Sequence, residues 1–121
     1  MNHLQVKRIY SEFSHTDGYR ILVDRLWPRG ITKEKAHIDY WAKEITPSTE
    51  LRKTFNHDEN TMDEFKIRYY LELDNNEHRG AFIDLICNKL NEGNVTLLYA
   101  AKNETYNHAY VLKEWIKEII S

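Results

Sequence analysis

One cysteine, Cys87, can close no internal disulfide and can build no cysteine-rich metal site, so a reducing compartment is the expectation. Only two prolines, Pro28 and Pro47, and four glycines interrupt the chain. No Gly/Ser linker, low-complexity tract or internal repeat divides it, and one continuous domain over residues 1–121 is expected. Long apolar runs are missing as well. The segment from Met1 to Tyr10 lacks the apolar stretch of a secretory leader, and no other segment reaches membrane-span length. A cytoplasmic location and no membrane partner follow as expectations. An excess of one charge is also absent: 17 Lys and Arg against 19 Asp and Glu leave a net charge of -2. Wholesale neutralisation of nucleic-acid phosphates therefore has little to work with, although a local basic patch is compatible with this balance.

Recognisable catalytic and cofactor motifs are likewise lacking. The six histidines form no His-Glu-x-x-His pair and show no metal-ligand spacing with Asp or Glu. There is no Walker loop, no Gly-x-Gly-x-x-Gly and no Gly-x-Ser-x-Gly. Neither a metal nor a cofactor is expected.

What is present suffices for a hydrophobic core: 41% apolar residues, with three Trp, eight Tyr and four Phe in 121 positions. Leu4 to Tyr10 is short and β-branched, which predicts a strand; Arg20 to Arg25 is an apolar run bounded by charges, which predicts a second, buried one. Ile38 to Ile45 fits a strand or a helical face, with strand preferred. Thr46 followed by Pro47 has the form of a helix N-cap with proline in the first turn, opening a short helix through Leu51 and Phe55. A longer helix is expected from Asn60, with Met62, Phe65, Tyr69 and Leu73 on one stripe. Another carries Phe82, Ile83, Ile86 and Leu90, with Gly93 as a left-handed cap and Cys87 as buried packing. Val95 to Ala101 is almost wholly apolar, as in a strand covered on both faces. The last helix turns Ala109, Leu112, Ile116 and Ile119 or Ile120 inward. Strands alternating with helices predict an α/β fold, a three-layer domain whose small, mostly parallel sheet is flanked by helices.

Ligands of such sheets bind beyond the carboxyl ends of the strands. Two polar segments are expected there. Asp24-Arg25-Leu26-Trp27-Pro28-Arg29-Gly30 follows the second strand and combines two guanidiniums suited to carboxylate or phosphate with a stiff turn. Lys102-Asn103-Glu104-Thr105-Tyr106-Asn107-His108 follows the last strand and ends in the first turn of a helix, whose free amides attract anions. The candidate ligand-binding residues are Arg25, Arg29, Lys102 and Asn107, with Trp27 as a stacking surface and His57 as a further proton carrier. His108 is the candidate general acid or base, with Asp24 orienting it. The same residues also read as a structural network: Asp24 paired with Arg25, Arg29 and Lys102 solvated, His108 packing or capping, His57 in a turn, and Trp27 in the core.

Val23-Asp24-Arg25-Leu26-Trp27-Pro28-Arg29-Gly30, Pro47-Ser48 with Leu51-Arg52, Phe55 and His57, and Phe65 with Arg68-Tyr69 resemble the YeaO-like domain-of-unknown-function family (DUF 488). The likeness continues through Leu97-Leu98-Tyr99-Ala100-Ala101-Lys102 and Asn107-His108-Ala109, and so spans nearly the whole chain. It implies a small bacterial cytoplasmic α/β protein with no agreed activity or cofactor. Longer, more distant relatives carry Cys-His-Arg where this chain has Asn107-His108-Ala109, so only the histidine is shared and cysteine chemistry does not transfer.

The leading expectation is a site for a small phosphate- or carboxylate-bearing ligand, with catalysis left open. A non-catalytic protein-interaction module is the alternative, and a nucleic-acid accessory role the third. All three require the two polar segments, some eighty positions apart, to meet at one rim; oligomeric state is not encoded in any motif.

Overall fold

The computed structural model describes residues 2–55 and 59–121. Four strands, β1 (Leu4–Arg8), β2 (Tyr19–Leu22), β3 (Tyr40–Trp41) and β4 (Val95–Tyr99), form one sheet in the order β1-β4-β2-β3. Every pairing is parallel. Five α-helices accompany it among the described residues: α1 (Lys33–Ala36), α2 (Thr49–Thr54), α3 (Glu59–Asp74), α4 (Arg79–Glu92) and α5 (His108–Ile120). Short 3-10 turns lie at His15–Asp17 and Lys43–Ile45.

The central position of β4 explains its composition. All five of its residues are buried, because a parallel strand with neighbours on both edges and layers on both faces meets no water. Val95, Leu97 and Tyr99 face the larger core, which also takes in Ile21 and Val23 together with Phe65 and Tyr69 of α3, Ile86 of α4 and Leu112 and Ile116 of α5. Leu98 and Leu22, at alternate positions, face a smaller cluster with Ile9, Ala36 and the partly buried Trp27 and Trp41. The layers are therefore unequal: long helices on one face, α1 and connecting segments on the other.

Local details depart from the sequence reading. The second strand ends at Leu22, two residues before Asp24, and the Ile38–Ile45 segment contributes only Tyr40–Trp41 to the sheet before it closes into a 3-10 turn. Ser48, not Thr46, caps α2. Its Oγ accepts from Leu51 N at 3.1 Å and donates to Glu72 Oε2 at 2.5 Å, and its own N–H donates to Glu72 Oε1 at 2.9 Å, so a contact from α3 selects the cap. Gly93 has φ 178, an extended backbone and not a left-handed cap. Cys87 is exposed, since it lies one residue, about a hundred degrees, round the helix from the buried Ile86. Ile119 is 48% exposed, while Trp115 joins Ile116 on the inner face of α5.

Candidate functional site

Parallel strands deliver their exits to one rim, and here the chain beyond β1, β2 and β4 lines a cleft of about 490 Å³. Tyr10 comes from the exit of β1, Asp24 to Arg29 from that of β2, and Ala100 and Ala101 from that of β4. His108 at the start of α5, Arg52 of α2, Phe55 and Phe65 complete the wall with Pro47.

Asp24 holds the rim together. Its Oδ2 accepts the Ala100 N–H at 2.8 Å, one step beyond the bond from Val23 N to the Leu98 carbonyl at 3.0 Å, so the carboxylate continues the β2–β4 ladder where the backbone pairing stops. The Asp24 carbonyl receives the Trp41 indole N–H at 2.7 Å. His108 Nε2 lies 2.8 Å from the Val23 carbonyl and 3.0 Å from Asp24 Oδ1. A single N–H cannot align with both; it donates to the carbonyl, and Asp24 Oδ1 is left buried beside the ring with no aligned donor. The two polar segments therefore meet through these side chains.

The cations are distributed unevenly. Arg25 is exposed, and its Nε donates to Thr46 Oγ1 at 3.3 Å. The exposed Arg29 also lines the cleft, and its backbone carbonyl accepts from Tyr10 Oη at 3.0 Å. Arg52, absent from the candidates drawn from the sequence, brings a third guanidinium, with a buried Nε that has no hydrogen-bond partner among the described residues. None of the three is ion-paired with a described Asp or Glu. Lys102 is exposed and lies outside the cleft lining. Asn107 is buried and occupied as the α5 cap: its Oδ1 accepts from Tyr110 N at 3.2 Å and its Nδ2 donates to the Asn103 carbonyl at 3.0 Å. His57 lies outside the described residues.

The signal for Arg52 was its place in the Leu51-Arg52…Phe55 segment of the resemblance; nothing in strand-end logic singles out a residue on a crossover helix. Trp27 is held rigidly, with Nε1 donating to the Ile31 carbonyl at 2.7 Å and its ring edge-on to Trp41 at 5.4 Å. Among the described residues no group of three or more His, Cys, Asp or Glu side chains is placed to hold a metal ion.

Residues 3–121 match the family described as the inactive DUF488-N3 subclade. The chain belongs to the DUF488 family. This DUF488 protein is 48% identical over 116 residues to the uncharacterized protein YeaO of Escherichia coli, covering 96% of this chain and 98% of the relative. It is 35% identical over 111 residues to the uncharacterized protein Rv3073c of Mycobacterium tuberculosis and to the uncharacterized protein Mb3100c of Mycobacterium bovis, covering 92% of this chain and 91% of each. No solved structure matches it significantly. No helix of this DUF488 protein, among the described residues, is long and apolar enough to cross a membrane.

Proposed function

We propose that the cleft at the strand exits binds a small anionic molecule, carboxylate- or phosphate-bearing, and does not turn it over. One observation carries this reading: Arg25, Arg29 and Arg52 line one concave site whose sole described carboxylate, Asp24, is engaged by Ala100 and His108. Three guanidiniums with no described acidic partner leave a surplus of positive charge above a floor of buried Phe55 and Phe65, where an oxyanion is held by paired N–H donors. His108 has Nε2 committed to the Val23 carbonyl, so Nδ1 is the ring nitrogen left for a ligand. The description of the subclade as inactive supports binding without turnover.

Titration with inorganic phosphate, acetate and benzoate, followed by amide NMR shifts, tests the proposal. Shifts should cluster at residues 24–29, 52, 100–101 and 108, and Arg52→Ala together with Arg29→Ala should abolish them. Saturating concentrations of all three anions with no movement at these positions would overturn it. A protein-docking surface is the second reading, favoured by Leu26, which is 70% exposed on the cleft wall. Anion shifts unaffected by the arginine substitutions would leave that reading ahead.

A further inference from the structure

We infer that the ligand is an aromatic ring system bearing the anionic group, and that the wall of the cleft, more than its arginines, sets which anion is chosen. The inference rests on the anion-binding reading above and deepens it. Phe55 and Phe65 stack at 4.1 Å between centroids with their planes 20° apart. They are only 6% and 3% exposed, yet both line the cleft, so its floor is the surface of the hydrophobic core. Trp27 adds an indole already fixed by its bond to Ile31 and its edge contact with Trp41, and a wall that does not move loses little freedom when a ligand covers it. Leu26 extends the apolar surface towards solvent.

An inorganic anion would meet the guanidiniums and leave the accessible part of this wall, Trp27 and Leu26, in water. The volume, about 490 Å³, falls among those of organic ligand sites and far exceeds what a bare oxyanion fills. A flat arene satisfies both halves: it packs on Trp27 and Leu26 and covers the small part of the Phe rings that reaches the floor, and guanidinium planes stack on it while their edges hold its carboxylate or phosphate. Flat aromatic walls favour a ring over a flexible alkyl chain, which must be ordered on binding.

The test compares 1-naphthoate, acetate and the neutral 1-naphthalenemethanol on the native protein by calorimetry and NMR. Naphthoate should bind at least about tenfold more tightly than acetate and than the neutral alcohol, reflecting one ring's burial together with charge pairing. Trp27→Leu should weaken naphthoate by about tenfold and change acetate by less than about twofold. Naphthoate binding no tighter than acetate overturns this inference and leaves the anion reading intact. The alcohol matching naphthoate overturns the anion reading, and so both. The native series decides the matter even if Trp27→Leu fails to fold.

Discussion

His108 Nε2 donates to the Val23 carbonyl at 2.8 Å across 85 positions of sequence, with Asp24 Oδ1 3.0 Å from the same nitrogen. A carbonyl can only accept, so the proton sits on Nε2 and the neutral ring carries its lone pair on Nδ1. Removing the ring in His108→Ala leaves a carbonyl of the rim without its donor and Asp24 without its neighbour. A loss of about 1–3 kcal/mol in urea unfolding is expected. Nitrogen-15 shifts of the native ring should report the Nε2–H tautomer in its neutral form; the opposite tautomer would contradict this geometry.

Two glycines with positive φ should respond differently to alanine. Gly18 has φ +67, and a Cβ there would lie 2.0 Å from the Asn94 carbonyl oxygen, which already accepts from Tyr19 N at 2.9 Å. Strain and a backbone clash add, and Gly18→Ala should cost more than about 3 kcal/mol. Gly30 has φ +75 with nothing within 4 Å, so Gly30→Ala meets only the left-handed penalty, about 1 kcal/mol. Parallel denaturation curves check the contrast, and equal losses would refute it.

Acid should destabilise the protein through Asp17. Burial pushes its carboxyl up, but the Ser14 N–H at 3.1 Å, Lys7 at 3.1 Å and Arg20 Nη1 at 2.5 Å outweigh this and hold it below its ordinary value. A carboxyl depressed in the folded state contributes stability above its unfolded pKa, 3.8, and loses it as pH falls through the folded value. Stability should therefore decline below about pH 4. Asp17→Asn should flatten that acid limb and, by leaving the 2%-exposed Arg20 without a counter-charge, cost roughly 3–5 kcal/mol at neutral pH. An unchanged acid limb in the variant would count against the assignment.

Tyr40 donates its hydroxyl to Glu44 Oε1, and this bond, with burial and the charge of Glu44, pushes its pKa up to about 12. A raised phenol stabilises the fold below its unfolded value of 10.0 and loses that contribution as pH rises through about 12. Glu44→Gln should return Tyr40 towards 10.0 in a ring-carbon NMR titration. No movement would show that the bond does not govern the phenol.

The sheet was legible where burial is complete and obscure where tertiary contact decides. Val95 to Tyr99 announces itself because every side is covered, and the buried Phe65, Tyr69 and Leu73 of α3 keep the helical period. β3 is two residues long, too short for any periodicity to mark. The cap of α2 reads locally as Thr46, the residue before Pro47, and is Ser48 instead because Glu72 on α3 selects it. At the rim, strand-end reasoning led to Asp24, Arg25, Arg29 and His108 but also to Lys102, which is not part of the cleft lining, and it passed over Arg52, which a crossover helix delivers there.

Arg52 separates a structural network from a ligand site. Its Nε is buried without a hydrogen-bond partner among the described residues, a desolvation penalty that no bond among those residues offsets. A guanidinium kept to brace the fold would be expected to hold a carboxylate or carbonyl through that nitrogen. Arg52→Met keeps most of the apolar stem against the cleft and removes the unsatisfied donor. If the residue serves a ligand, the variant should unfold at the same or higher denaturant, gaining up to about 1 kcal/mol, while affinity for benzoate falls by about tenfold. A loss of stability above about 1 kcal/mol with benzoate binding intact would assign Arg52 to the scaffold and remove one of the three cations on which the anion reading depends.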